Sequence, residues 1–308
     1  MSARRDRVVF WALVALVVGA AGGAYLLLLG RAPGAPPPPR PVAAKPPPED
    51  VRLRVTEVQG AVEIERGGVR RPARLGDELA ASDALVTAPG ASVKIVSPTY
   101  EFKVEEIGRF GVEQATSESS RFRLDRGLVS ARVDEDPSRA VEIASARSAV
   151  ARTTGGELQV SSSGTVVAVA VRRGAARFTS GGQSVEVAAG QRTAAAAEGT
   201  PSAPTAIPAE VLLEVAWPEE RVTNRRKIPV SGRTVPGGVV VIGGATMEVQ
   251  PDGRFKGTVE LKEGEQRLVA RARAAGVYAE ARGPPVVLDT RAPDARFDTG
   301  GLWDKDPR

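Results

Sequence analysis

Two groups of carboxylates are the residues of this sequence best suited to chemistry. Glu105 and Glu106 are adjacent, and Asp134, Glu135 and Asp136 form a second acidic run. Two carboxylates facing one sugar can hydrolyse a glycosidic bond, but such clefts normally carry aromatic platforms, and aromatic residues are only 4% of the chain. The second run has too few oxygens for calcium without backbone ligands. Both groups are therefore predicted to be solvated surface turns.

The composition removes several kinds of catalytic site. The chain has no cysteine and no histidine. Most zinc sites, thiol nucleophiles and serine-histidine-aspartate triads need one of these residues, and disulfides and lipid acylation need cysteine. The sequence therefore predicts a protein that is not an enzyme, has no catalytic residues, and holds no cofactor and no metal.

Basic residues, glycine pairs and tryptophans are the remaining candidate binding features of the chain. After residue 50 there are 36 basic and 34 acidic residues, interspersed without a single-sign stripe, so nucleic acid binding is not expected. The basic clusters are predicted to be solvated hairpin tips: Arg70-Arg71, Arg172-Arg173 and Arg225-Arg226-Lys227. The pairs Gly237-Gly238 and Gly243-Gly244 lack the lysine and helix of a phosphate loop. Trp217 is predicted to pack at a core edge, and Trp303 is a candidate partner anchor.

The elements that would position these residues begin with an apolar run from Val8 to Gly30, which contains no charge. At about 1.5 Å per residue it can cross a hydrocarbon core of about 30 Å. Arg4, Arg5 and Arg7 precede it, and the positive-inside rule places them in the cytoplasm. The alternative is a cleaved signal peptide, because GAAGGA at 19–24 offers small residues. The prediction is a single-pass signal anchor in a bacterial inner membrane, with the bulk of the chain in the periplasm.

Between residues 31 and 50 the chain is dense in proline and predicts an extended linker. Beyond it, short runs of alternating or continuous apolar residues are separated by turn residues every eight to twelve positions, as in β-sandwiches and rolls. The pattern predicts strands that include 52–58, 61–66 and 91–96, and separate strands at 121–124 and 127–133 and again at 165–172 and 175–179. In the C-terminal part it predicts strands at 211–216, 227–232, 238–242, 245–249, 254–260, 266–274 and 286–288. No segment beyond residue 30 has a helical period.

Residues 54–200 resemble the FecR domain family through an ordered set of short motifs. These are VQGAV at 58–62, LGDEL at 75–79, LVT at 85–87, LDRGLV at 124–129, VEIAS at 141–145, TTGGELQV at 153–160, VAVRRGAA at 169–176 and VEVAAGQ at 185–191. The resemblance implies a FecR-type β-sandwich or roll. FecR itself relays a signal through a long cytoplasmic segment to a sigma factor, whereas about seven residues precede the span here, so direct sigma binding is not expected.

A second resemblance covers the C-terminal part. The motifs IPVSGRTVPG at 228–237, DGRF at 252–255, LKEGE at 261–265 and LDTRAP at 288–293 are similar to bacterial Ig-like modules related to glucodextranase domain B. This resemblance implies an Ig-like β-sandwich of the accessory, non-catalytic kind. Pro251-Asp252-Gly253 between two apolar runs predicts a turn.

Together these features predict an all-β protein behind a single transmembrane helix. The predicted parts are a cytoplasmic tail (1–7), the transmembrane helix (8–30), a proline-rich linker (31–50), a FecR-like β domain (51–197), a linker (198–209), an Ig-like β-sandwich (210–292) and a flexible tail (293–308). The expected function is non-catalytic binding or scaffolding in the cell envelope.

The predicted partners are the lipid bilayer, through Val8 to Gly30, and an envelope protein that adds a strand to a free sheet edge, with peptidoglycan or polysaccharide as a further candidate. The alternatives are a FecR-like signalling regulator acting through a separate cytoplasmic partner, and a glycan-binding or glycan-processing protein.

Overall fold

The computed structural model describes residues 50–145, 148–196, 198–209 and 212–291. Across these ranges the secondary structure is entirely β, which confirms the predicted fold class. None of the described residues forms a helix with the length and apolar character that a membrane crossing requires. The predicted anchor from Val8 to Gly30 and the residue Trp303 lie outside the described residues.

The first sixteen strands form one continuous sheet that curls into two layers, called here the sandwich. Its strands are β1 Leu53–Gln59, β2 Val62–Arg66, β3 Val69–Pro72, β4 Glu78–Leu79, β5 Ala84–Thr87, β6 Ser92–Val96, β7 Tyr100–Val104, β8 Arg109–Ala115, β9 Ser119–Val133, β10 Ala140–Ser145, β11 Val150–Thr153, β12 Gly156–Ser162, β13 Val166–Ser180, β14 Gln183–Ala188, β15 Gln191–Ala196 and β16 Thr205–Ala206. The segment predicted as a linker at 198–209 thus contains β16, which pairs with β15.

Two long strands belong to both layers. One layer has the order β4-β1-β6-β7-β9-β12-β13-β15-β16. The other layer has the order β3-β2-β5-β8-β9-β10-β11-β13-β14, in which only β9 and β10 run parallel. Strands β9 and β13, each of 15 residues, therefore pass from one layer to the other.

The predicted strand breaks within β9 and β13 are wrong, because glycines bend these strands without ending them. Gly127 has φ +103° and Gly174 has φ +78°, a region that other residues rarely adopt. A Cβ on Gly127 would lie 2.6 Å from the Cα of Gly108, so the bend also needs a residue without a side chain. The polar residues beside each glycine resemble a turn, but sheet pairing continues through both positions.

An aromatic cluster fills the space between the two layers. The rings of Tyr100, Phe102, Phe110 and Phe122 are all buried. Phe122 contacts the other three, with its centroid 4.5 Å from that of Phe102 and 5.5 Å from those of Tyr100 and Phe110. Aliphatic residues from nearly every strand surround the rings, giving one contiguous core.

The last eight strands form a second sheet, called here the module. Its strands are β17 Glu214–Ala216, β18 Val222–Thr223, β19 Lys227–Arg233, β20 Val239–Ile242, β21 Ala245–Val249, β22 Arg254–Glu260, β23 Gly264–Ala274 and β24 Val277–Leu288. The sheet order is β17-β19-β22-β21-β20-β23-β24-β18, with β18 parallel to β24. Its core is mostly aliphatic around Phe255. The Ig-like assignment of the module stays a prediction.

Two local predictions in the module can be compared directly with the structure. Pro251-Asp252-Gly253 forms the turn between β21 and β22, with Gly253 at φ +83° and its N–H 2.9 Å from the Gln250 carbonyl oxygen. Trp217 packs against the core edge as predicted, and its ring covers Gly283. The sequence pattern predicted only 286–288 as the last strand, whereas β24 begins at Val277.

Candidate functional site

The module docks against the sandwich on the outer surface of β12, β13 and β15. Ser161 Oγ donates a hydrogen bond to the Gly237 carbonyl (2.8 Å), and the Gly276 N–H donates to Gln159 Oε1 (2.8 Å). Ala168, Ala170 and Ala275 are fully buried between the two sheets, and these small side chains permit close approach. The described sandwich and module are therefore joined by a packed, hydrogen-bonded contact.

Charged residues contribute to the same contact. Arg192 on β15 is only 8% exposed and donates from Nη2 to the Pro236 carbonyl at 3.2 Å. Burial lowers the pKa of Arg192, because the charged guanidinium loses contact with water. Arg172 Nη2 donates to the Gly276 carbonyl at 3.3 Å. The module thus supplies backbone carbonyls to arginines of the sandwich.

The turn between β7 and β8 places two carboxylates under an arginine of the module. Arg273 on β23 donates from Nη1 to Glu105 Oε2 at 2.7 Å, and its Nη2 lies 3.5 Å from Glu106 Oε1. Lys103 Nζ lies 3.0 Å from Glu105 Oε1, and the Gly90 N–H donates to Glu106 Oε2 at 2.7 Å. Each of the four carboxylate oxygens therefore already faces a donor or cation of the protein.

Above this ion-pair cluster lies a cleft of about 500 Å³ between the sandwich and the module, which we call the junction cleft. Both parts contribute polar or charged side chains to its walls. They include Gln59, Ser92, Lys103 and Arg172 from the sandwich, and Arg271, Arg273 and Tyr278 from the module. Tyr278 is 53% exposed, and the Arg273 guanidinium carbon lies 5.5 Å from its ring centroid. The cleft is open, polar and rich in cations.

The structure corrects the prediction for Glu105 and Glu106. They do lie in a turn, but Glu106 is only 5% exposed, so the turn is not a solvated surface feature. Both carboxylates pair with Arg273, which lies 168 residues after Glu105. No short-range sequence signal could show this pairing.

The second acidic run remains in the loop between β9 and β10, away from the junction cleft. Asp136 accepts hydrogen bonds from the hydroxyl of Ser138 (2.6 Å) and from its N–H (3.0 Å), and both lower the pKa of Asp136. The run therefore closes a local turn. Within the described ranges, no group of three or more histidine, cysteine, aspartate or glutamate side chains could hold a metal ion.

The predicted hairpin tips have different outcomes. Arg70 and Arg71 lie on β3 beside its hairpin turn and pair with Glu65 and Asp77. The pair Arg172-Arg173 is not at a tip: it lies in the middle of β13, at the bend where the strand changes layer. That position brings Arg172 to the junction cleft.

Sequence reasoning missed the module's contribution to this cleft. Arg271 and Arg273 are separated by one alanine on β23, and Tyr278 follows the glycine turn at Gly276. Alternation of arginine with alanine along a strand puts the arginines on one face, and this was the available signal.

A separate feature is the free edge of β14, which pairs only with β13 within the described residues. Gly181 and Gly182 form the two-residue turn of the β13–β14 hairpin. Antiparallel pairs alternate between hydrogen-bonded and non-hydrogen-bonded, and Ser184 and Glu186 fall in non-hydrogen-bonded pairs, so their N–H and C=O groups point away from β13. Other outer strands are better protected. Strands β4, β16 and β18 have two residues each, β17 has three, and β3 carries two arginines and a proline.

Comparisons with known proteins add little to this geometry. No family model matches the chain, and no curated protein matches it. Among solved structures, two crystal structures of a "putative anti-sigma factor" from Parabacteroides distasonis ATCC 8503 are similar, each with 12% identity and a TM-score of 0.36. Each match covers 40% of this chain and 59% of that protein, which is less than two thirds of its length. A likeness at this TM-score carries no argument about function.

Proposed function

We propose that this chain is a non-catalytic binding and scaffold protein of the bacterial cell envelope. In this proposal the segment from Val8 to Gly30 anchors it in the inner membrane, with its N-terminus in the cytoplasm and the β structure in the periplasm. The partner is an envelope protein that adds an extended segment to the edge of β14. The observation that carries the proposal is the six-residue β14 edge, because the other outer strands described are short or blocked.

The side chains of β14 indicate what such a segment would look like. Val185 is partly buried and packs against the sandwich core, whereas Glu186 is exposed and pairs with Arg177 at 2.7 Å. An added strand would place an apolar residue beside Val185 and polar residues on the outer face. The expected partner segment therefore alternates apolar and polar residues.

The carboxylates of the junction cleft support the non-catalytic part of the proposal. A glycosidase needs one carboxyl group to protonate the leaving group and a second to act as base or nucleophile. Here Glu105 and Glu106 direct their oxygens to Lys103, Arg273 and the Gly90 N–H. This arrangement favours a structural role for the pair.

The strand-addition proposal can be tested in intact cells with a photoreactive residue at position 186, in the wild-type background and in Ser184→Pro and Ser184→Ala. Proline at position 184 removes an outward N–H but no hydrogen bond of the β13–β14 ladder. Both variants lose the hydroxyl contact between Ser184 and Thr179, so alanine is the matched control. We expect a cross-link to one protein in the wild type and in Ser184→Ala, and its loss in Ser184→Pro.

An equal yield of the protein adduct in Ser184→Pro would overturn strand addition, as would adducts with glycan alone. A photoreactive residue at Arg282, whose side chain is 74% exposed on the module, controls for unspecific capture. Purified partner should also protect the amides of Ser184 and Glu186 from hydrogen exchange.

The membrane topology needs its own experiment. Alkaline phosphatase fused after Arg308 is expected to be active, because the enzyme folds only outside the cytoplasm. An inactive fusion, together with a fluorescent cytoplasmic reporter at the same position, would reverse the orientation. The signalling alternative stays a prediction, since no observation among the described residues favours it.

A further inference from the structure

We propose that the junction cleft binds a carboxylated saccharide of one or two rings. The proposal is independent of strand addition at β14, because the cleft and that edge share no residues. A volume of about 500 Å³ falls in the usual range for small-molecule sites. The class of ligand follows from the hydrogen-bonding groups that the cleft leaves available.

The carboxylate and side-chain amide oxygens that line the cleft already have protein partners. All four carboxylate oxygens of Glu105 and Glu106 face protein donors or cations. Gln159 Oε1 accepts from the Gly276 N–H, and Gln59 Oε1 lies 3.4 Å from the Ser92 hydroxyl that donates to it. A ligand that brings mainly hydrogen-bond donors, such as an amine or a cation, would therefore find few partners.

Donors, in contrast, remain available. Arg172 is exposed and its guanidinium contacts only the Gly276 carbonyl, with no carboxylate in ion-pair distance among the described residues. Arg271 uses Nε towards Glu280 at 3.4 Å and keeps both of its terminal nitrogens. The side-chain amide nitrogen of Gln59 also has no partner in the described part of the chain. Guanidinium groups match the planar geometry of a carboxylate, and the amide suits a sugar hydroxyl.

The formal charge of the lining points the same way. Four cationic side chains, Lys103, Arg172, Arg271 and Arg273, face two carboxylates, Glu105 and Glu106. An anion would therefore be attracted to the cleft and a cation repelled. Arg273 and Lys103 already contact Glu105, and Arg271 pairs with Glu280, so Arg172 is the cation of the lining left without a carboxylate partner in the described residues.

Tyr278 supplies the apolar part of the site. Its ring is half-exposed, and its hydroxyl donates to Glu280 Oε2 at 3.0 Å, which fixes the ring orientation. The C–H face of a sugar ring packs well on such a surface, whereas a simple inorganic anion gains nothing from it. The combination of a half-exposed ring, guanidinium nitrogens with remaining donor capacity and an available amide favours a carboxylated saccharide over a simple inorganic anion.

The test is calorimetric or NMR titration of the full chain purified in detergent. The probes are digalacturonic acid, its dimethyl ester, N-acetylmuramic acid and acetate. We expect both acids to saturate the protein, and the ester, which keeps the rings but loses the charge, to bind at least tenfold more weakly. Acetate should bind far more weakly than either acid.

Variants locate the site. Arg172→Gln should weaken binding of digalacturonic acid about tenfold or more, because a charge-assisted hydrogen bond is lost. Tyr278→Ala should weaken binding of the acid and the ester alike. Arg282→Gln is the matched control, since Arg282 pairs with the same Glu280 but does not line the cleft, and it should leave affinity unchanged.

Several outcomes would overturn the proposal. They are equal affinity for acid and ester, binding of acetate as tight as that of the sugars, an unchanged affinity in Arg172→Gln, and no saturation by either acid up to about 10 mM. Ser184→Pro is expected to leave sugar binding intact. A loss of protein cross-linking without a loss of sugar binding would therefore separate the two proposals.

Discussion

The sandwich and the module both close a β core, but they do so with different strands and different side chains. In the sandwich, two strands of 15 residues run from one layer into the other, and four aromatic rings pack in the space between the two layers. In the module, β21 pairs with both β20 and β22 and has only five residues. The largest fully buried side chain of the module is Phe255. The layers of the sandwich are thus tied together by continuous backbone and by a shared aromatic cluster.

This difference has a consequence for the contact between the two parts. The module is held to the sandwich by side chains and single backbone groups, such as Ser161 on Gly237 and Arg273 on Glu105. No sheet ladder connects them in the described residues. The sandwich is therefore expected to set the global stability, and the junction to respond to smaller changes.

The largest effect is expected from Phe122→Ala. Phe122 is fully buried and contacts three other rings, so its removal should lower the free energy of unfolding by about 3–5 kcal/mol. Phe255→Ala in the module is the matched change, and it should cost less because no aromatic ring pairs with Phe255 in the part of the chain that the structure describes. Denaturant unfolding of both variants measures the difference. An equal or greater loss in Phe255→Ala would remove the distinction between the two cores.

Gly156→Ala should come next, at about 2–3 kcal/mol. Gly156 has φ +117°, and a Cβ there would clash with the carbonyl oxygen of Arg173, beside the bend of β13. Gly244→Ala in the β20–β21 turn is the control, because that glycine has φ +85° but no atom within 4 Å of the added carbon. It should cost about 1 kcal/mol. Equal shifts in melting temperature for Gly156→Ala and Gly244→Ala would show that the structure relieves the crowding at the bend with little loss of stability.

Arg273→Gln is expected to cost about 1–3 kcal/mol, because it leaves the buried carboxylate of Glu106 without its cation. It should also expose the module to limited proteolysis before the sandwich. Arg282→Gln, at a 74% exposed ion pair, should change stability by less than about 0.5 kcal/mol. If the two variants behaved alike, the ion-pair cluster at the junction would not hold the module in place.

The smallest expected effect is a pH dependence in the sandwich. Hydrogen bonds from Arg109 and Arg70 lower the pKa of Glu65 from 4.5 to about 2. Because the folded-state pKa is depressed, this stabilisation is fully present above pH 4.5 and is lost as the pH falls from 4.5 towards 2. The stability difference between wild type and Glu65→Gln should shrink over this window, as measured by denaturant unfolding at each pH.

Glu280 of the module allows the same measurement of stability against pH. Hydrogen bonds from Tyr278 and Arg282 lower the pKa of Glu280, but less strongly. Glu280→Gln should therefore show a smaller change over the same acidic range. A flat profile for Glu65→Gln relative to wild type would mean that the exposed surroundings screen the Arg109 contact.

Much of the fold could be predicted because strand formation follows a local pattern. Alternating apolar residues located β1, β2, β6 and most of the strands of the module within one or two residues. The turn at Pro251-Asp252-Gly253 and the packing of Trp217 were likewise correct. These features depend on neighbours in the chain, or on a core edge that any apolar side chain would seek.

The errors concern contacts that the sequence does not reveal locally. Asp125-Arg126-Gly127 has turn composition, yet Gly127 pairs with Ser162 and the strand continues. Likewise the last strand was predicted to begin only at residue 286, but a register shift between Arg267 and Val269 accommodates Gly283-Pro284-Pro285 as a bulge within β24. The ion pair of Glu106 and the hydrogen bond of Arg172 both involve residues of the module, far along the chain.

The two strands shared by both layers also bear on how the sandwich can open. A layer cannot detach while β9 and β13 remain paired in the other, so partial opening would require both strands to break at their bends. Amide hydrogens on either side of a bend, such as those of Phe122 and Val129 on β9, should then exchange with solvent only when the whole sandwich unfolds. Because β9 and β13 continue through the bends at Gly127 and Gly174, the two layers are expected to unfold together in one step.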